Sequence, residues 1–302
     1  MTSLLGITIN IIGPIVAIVA VAVLIDRRFA PDPKVLSRLV LYVFSPCLVV
    51  DSLAHSDLQA AEIWQIATVA ALCCAAMLVI GWIVGRLLHF DQALTSAFLL
   101  SVSLINAGNY GLPLNEFAFG RAGLQRAVIF YIVTAVWTNS AGVYLASRSS
   151  GDGRRALLNV LAMPVLYASL LGLLLNVTQV SLPLPLQRTL SLLSQATVPC
   201  MLFILGLRLS RTSLKGKLIP LLLSATIRLV LAPVIAVPLV SLLGVSGVAR
   251  LVCIVQAAMP SAVMSSVLAT EFGSDAGFAS SSILFSTLVS VLTLSILLWL
   301  VM

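Results

Sequence analysis

Residues 103–113 read Ser103-Leu104-Ile105-Asn106-Ala107-Gly108-Asn109-Tyr110-Gly111-Leu112-Pro113. Asparagines, glycines and a proline stand here in the middle of an otherwise apolar run. Gly108 and Gly111 lower helix propensity, and Pro113 removes a backbone donor and clashes with the preceding turn. In a bilayer, such open backbone is tolerated only beside other protein or a water-filled cavity. Pro113 therefore reads as the first residue of a new half-helix. The amides of that half-helix carry a partial positive charge suited to a carboxylate. Asn106 and Asn109 add neutral donors and acceptors without burying a charge. The plainer alternative is a kinked helix whose asparagines bond to their neighbours.

A second interruption lies far along the chain, at Gln256-Ala257-Ala258-Met259-Pro260-Ser261-Ala262. Pro260 falls near the middle of an apolar stretch, with Gln256 one turn before it and Ser261 directly after. Alone it reads equally as an ordinary proline kink. Together the two breaks suggest crossed half-helices whose positive ends face one site, with Asn106, Asn109, Tyr110, Gly111, Pro113, Gln256, Pro260 and Ser261 as candidate substrate-binding residues. Arg228 is the basic residue set deepest in an apolar run, where an arginine costs several kcal/mol. It reads as an anion-attracting charge or half of an ion pair with Glu116 or Glu271. Snorkelling to the inner headgroups is the alternative.

The surroundings of these breaks are written for lipid. Of 302 residues, 60% are hydrophobic and 9% charged, against roughly 25% charged in a soluble domain; the mean hydropathy is +1.14. Apolar stretches near the length of about 20 residues that a helix needs to cross a bilayer recur at 4–24, 35–53, 64–88, 92–117, 124–145, 157–176, 186–206, 218–243, 249–270 and 277–301. The expected class is an all-α integral membrane protein with ten transmembrane helices. Leu4–Leu24 reads as the first span and not as a removable signal, because no basic segment precedes it.

Basic residues set the expected orientation. Arg27, Arg28, Lys34, Arg38, Arg86, Arg148, Arg154, Arg155, Arg208, Arg211, Lys215 and Lys217 fall on one side, and Arg121, Arg126, Arg188 and Arg250 on the other. The richer side is expected to be cytoplasmic, with both termini outside a cell inner membrane. The net charge of +7 then reports topology, and no nucleic-acid partner is expected.

Prolines also suggest an internal repeat. Pro14 and Pro164, Pro46 and Pro199, and Pro113 and Pro260 occupy matching positions about half a chain apart. Five crossings per half would invert the second copy. The expected division is 1–146 for the first five-helix repeat, 147–156 for a short cytoplasmic linker, and 157–302 for the second repeat.

Several function classes find no support. There is no phosphate-binding loop for ATP-driven pumping, no zinc-protease spacing, and no cluster of acids, histidines or Ser–Lys pairs for an intramembrane enzyme. No cofactor is expected. Cys47, Cys73, Cys74, Cys200 and Cys253 lie in apolar runs without metal-ligand spacing and read as small hydrophobes. Asp51 reads as interfacial, and His55 and His89 as turn residues.

The stretch Ser103–Pro113, together with Ile254-Val255-Gln256-Ala257-Ala258-Met259-Pro260 and the following Glu271-Phe272, resembles the auxin efflux carrier family, which includes plant PIN carriers and bacterial relatives that handle small acids. Thr226-Ile227-Arg228-Leu229-Val230-Leu231-Ala232-Pro233 is similar to that family's eighth helix. The resemblance implies a scaffold of spans 1, 2, 6 and 7, a moving transport domain of spans 3–5 and 8–10, crossing helices 4 and 9, an elevator-like motion and a homodimer. It makes Asn106 the leading ligand for a substrate carboxylate and Pro113 and Pro260 the crossover prolines. The plant members' long central loop is replaced here by the short linker.

The expected function is secondary transport of small organic anions, with H⁺ or Na⁺ as a coupling ion or with none. A cation antiporter with crossed helices is the first alternative; it would require an ionisable acid at the crossing. A non-transporting membrane sensor or assembly partner is the second.

Overall fold

The computed structural model describes residues 3–146, 158, 160–214 and 218–302. The regular structure of the described residues is helical, apart from one isolated antiparallel bridge between Ile105 and Ser261. The helices are α1 (Leu4–Phe29), α2 (Pro33–Ala54), α3 (Ala60–Leu87), α4 (Gln92–Ser103), α5 (Ala107–Leu145), α6 (Pro164–Thr178), α7 (Leu184–Ser210), α8 (Leu218–Leu242), α9 (Gly247–Ala257), α10 (Met264–Glu271) and α11 (Ala276–Val301). Seven of them, namely α1, α2, α3, α5, α7, α8 and α11, are long and apolar enough to cross a bilayer, and α4, α6 and α9 are shorter apolar helices. The chain is thus an all-helical, multi-pass membrane protein. The expected linker 147–156 lies outside the described residues, as do Arg148, Arg154, Arg155, Lys215 and Lys217.

Short polar side chains start many of these helices. Ser3 accepts from the Gly6 amide, Asp32 from Lys34, Asp91 from Leu94 and Asp275 from Phe278, each satisfying one of the amides a helix start leaves open. At about 1.5 Å per residue, the 39 residues of α5 would reach about twice the ~30 Å hydrocarbon core. The helix turns instead at Gly120, whose φ of 64° and ψ of −158° suit a residue without a β-carbon. The sequence places a turn between 117 and 124, and Gly120 is that turn.

Four prolines inside the long helices are absorbed by widening, whereas Pro199 and Pro238 sit in ordinary α-helix. The segments Thr8–Ile12, Val40–Phe44, Ala107–Gly111 and Ile227–Leu231 are π-helical, and each ends two residues before a proline: Pro14, Pro46, Pro113 and Pro233. A wide turn makes room for the ring and redistributes the hydrogen bonds that proline cannot complete. This corrects the expected start of the half-helix. Helical backbone resumes at Ala107, and Pro113 is the second residue of the α-helical part that follows the wide turn. The break itself lies earlier, at Leu104–Asn106.

Close backbone approach holds α1 against α7. A β-carbon at Gly206 would sit 2.5 Å from Ala22 Cβ and 2.6 Å from Val19 O, so only glycine fits there. The core runs from α1 and α2 through α7 to α5 and α9, and a second cluster packs α3, α4, α8 and α11 around Phe98 and Phe278.

Candidate functional site

The two interruptions meet. α4 ends at Ser103 and α9 at Ala257, and the extended residues that follow pair with each other. Asn106 N–H donates to Pro260 O (3.0 Å), and Ala262 N–H donates to Leu104 O (2.9 Å). Each break thus satisfies backbone groups the other has freed, which is the condition for open backbone inside a membrane.

Several of the carbonyls at the two helix ends find side-chain donors. Leu100 O accepts from the Ser265 hydroxyl (3.1 Å), and Ser101 O from the Ser261 hydroxyl (2.7 Å). Arg228 takes three more. Its Nη1 donates to Val102 O (3.1 Å), its Nη2 to Ala257 O (2.7 Å) and Met259 O (3.2 Å), and its Nε to Met259 O (3.3 Å). The guanidinium is fully buried. It caps the C-terminal, negative ends of α4 and α9 at once. Its bonds go to main-chain carbonyls and to neither Glu116 nor Glu271, the two carboxylates the sequence offers as partners. Glu116 lies instead beside a separate small cavity with Asp51 and Arg121.

On the other side of the junction is a cavity of about 220 Å³. Its wall includes Asn106, then Gly108 and Asn109 from the first turn of α5, and Ala262, Val263 and Met264 at the entry to α10. The starts of both half-helices border one space, so the positive ends of their dipoles lie beside it, although in α10 the Ser265 and Ser266 amides already donate to Ala262 O and Val263 O. The facing wall comes from α2, the later part of α5, and α7, and includes Ser45, Thr134, Thr138, Asn139 and Arg208. Among the described residues no aspartate or glutamate lines it. Asn106 is 4% exposed, and its Nδ2 has no hydrogen-bond partner. A buried donor without an acceptor costs about 1–3 kcal/mol, a cost that a bound acceptor would remove.

The sequence-selected residues therefore divide. Asn106 and Asn109 line the cavity. Tyr110, Gly111, Pro113, Gln256, Pro260 and Ser261 belong to the junction and do not line it. Gln256 is fully buried, with its amide packed on Gly111 and Nε2 directed at Ala107 O (3.4 Å). A β-carbon at Gly111 would lie 2.2 Å from Gln256 Oε1, so that glycine permits the packing. Tyr110 is buried, with its hydroxyl 3.5 Å from Ser290 Oγ. Arg208 is the cavity residue that sequence reading assigned elsewhere, because its place at the end of a span gives the same signal as a topology charge.

At the far end of α2 the contacts are closed. Asp51 receives a hydrogen bond from Ser194 of α7 (3.3 Å) and lies 3.8 Å from Arg121 of α5. His55 Nδ1 is 3.3 Å from the same carboxylate, and Gln125 Nε2 donates to His55 O (3.0 Å). Asp51 thus joins α2, α5 and α7 and is more than an interfacial charge.

Residues 25–156 and 153–298 match the family described as membrane transport protein. The chain belongs to this membrane transport protein family. The resemblance to the auxin efflux carriers read from residues 103–113 and 254–260 agrees with that membership. An uncharacterized transporter of Methanothermobacter thermautotrophicus is 30% identical over 265 residues, covering 87% of each chain. Another, of Methanocaldococcus jannaschii, is 28% identical over 277 residues, 89% of this chain and 90% of that one. A candidate malonate transporter of Rhizobium meliloti is 29% identical over 210 residues, 65% of this chain and 64% of the relative. This family and these relatives are transporters and not enzymes.

Proposed function

We propose that this member of the membrane transport protein family is a secondary transporter of small organic anions, carboxylates above all, and that the substrate binds in the cavity beside the paired breaks. One observation carries the reading: two half-helix starts and the unpartnered Asn106 amide border a single space of about 220 Å³ that, among the described residues, no acid lines. Such a space favours an anion and gives its carboxylate a neutral donor. The same lack of an acid at the junction argues against the cation-antiporter alternative, which needs a group there to bind the ion. The name of the Rhizobium relative points in the same direction.

The proposal extends to the architecture. Ten crossings would form two inverted five-helix repeats, with α4 and α9 as the first halves of the broken fourth and ninth spans. The scaffold would be spans 1, 2, 6 and 7, and the transport domain spans 3–5 and 8–10. An elevator-like motion would carry the junction past the scaffold within a homodimer. The cavity reaches Ser37 and Arg208, near the basic ends of α2 and α7, while Asp51 bonds across α2, α5 and α7 at the opposite end. With the basic side cytoplasmic in an inner membrane and both termini outside, this is an inward-facing state. An inside-negative potential would favour anion export by about 2.3 kcal/mol per charge per 100 mV, with or without H⁺ or Na⁺ coupling.

The test is uptake of radiolabelled malonate and related acids into proteoliposomes. Asn106→Ala should reduce transport at least about tenfold, the loss of one hydrogen bond to a charged group, without changing yield or unfolding temperature. Unchanged uptake kinetics would remove Asn106 from the site.

A further inference from the structure

Arg208 occupies the last turn of α7 and borders both the main cavity and an adjoining one of about 150 Å³ that holds Arg211, Thr212 and Ser266. The acids near this end of α7 are otherwise engaged. Asp26 is held by Arg211, through Nη2 at 2.6 Å and Nε at 3.0 Å, and Asp32 caps the Lys34 amide at 2.9 Å. Among the described residues no carboxylate lies within ion-pair distance of Arg208. Its guanidinium is thus a half-buried cation on the cavity wall, with Asp32 near enough to act on it through space but, among the described residues, with no carboxylate in ion-pair contact. Asn106 and the first turn of α5 provide a different kind of station in the same cavity, neutral and rich in donors. Val263 borders both cavities and follows Ala262, whose amide bonds Leu104 O at the junction, so the two stations share a wall.

We propose that Arg208 is the specificity-determining residue of the site: it pairs with a second carboxylate and makes the preferred substrate a short dicarboxylate. This rests on the anion-transport reading above and narrows it. A guanidinium binds a carboxylate through two parallel hydrogen bonds. A monocarboxylate held at Asn106 leaves Arg208 with only the through-space charge of Asp32, and a dicarboxylate satisfies both stations.

The test is calorimetric titration of the purified, full-length protein with malonate, succinate and propionate. Wild type should bind a dicarboxylate more tightly than propionate. Arg208→Gln should weaken dicarboxylate binding by roughly ten- to hundredfold, the equivalent of one charged hydrogen-bonded pair, and weaken propionate several-fold less than that. Arg208→Lys should recover part of the loss, and it also serves as the informative variant if the glutamine protein fails to fold. Equal weakening for all three acids, no weakening, or a wild-type preference for propionate would overturn the role of Arg208. In those cases Asn106→Ala still abolishing binding would leave the anion site standing. If wild type binds none of the acids, the transport reading fails and the role of Arg208 fails with it.

Discussion

An arginine with no exposed surface must find its acceptors within the protein, and Arg228 finds them in carbonyls that two helices leave open. The buried charge is thereby a structural element of the junction, which explains its depth in the membrane without invoking substrate. Replacing it removes the partner of Val102 O, Ala257 O and Met259 O together, each worth about 1–3 kcal/mol when left unsatisfied. Arg228→Met should therefore lower the unfolding temperature in mild detergent sharply. Arg228→Lys, with one ammonium in place of a fork, should lower it less. An unchanged unfolding temperature in the methionine variant would refute the capping role. The depth of Arg228 was legible in the sequence, because charge in an apolar run stands out. Its partners were not, since a main-chain carbonyl becomes an acceptor only when tertiary structure breaks a helix beside it. Asn106 was legible for the opposite reason: its neighbours Gly108, Gly111 and Pro113 announce a break in their own sequence.

At the scale of helices, hydropathy located apolar segments well, and proline located the disturbed ones without fixing where they break. Pro113 is accommodated by a wide turn, and the chain departs from helix before it, where the second interruption supplies the missing hydrogen bonds. That choice depends on a partner more than a hundred residues away and is invisible to local propensity. Helix spacing was equally hidden. Gly206 resembles many glycines in membrane helices, and only the approach of α1 gives it a purpose. Gly206→Ala should force α1 and α7 apart at a cost of about 1–3 kcal/mol, typical of overpacking. A thermal unfolding curve should register this as a clear decrease in midpoint. A variant as stable as wild type would mean that the contact relaxes without cost.

Over the whole molecule, the paired breaks, the acid-free cavity and the contacts around Asp51 form one arrangement. Two chain segments from opposite halves satisfy each other's backbone, and the first turns they generate border a space that favours negative charge. One end is joined by Asp51 across α2, α5 and α7, and the other carries Arg208. The central claim is that a carboxylate occupies this space through Asn106. Thermal stabilisation of the purified protein by a panel of mono- and dicarboxylates, with Asn106→Ala alongside, tests it most directly. A ligand at about a hundred times its Kd should add about 2.7 kcal/mol of stability. The account predicts a raised unfolding temperature with at least one acid and its loss in the variant. No shift with any acid, alongside a clear shift with sodium or pH, would contradict it and favour ion exchange.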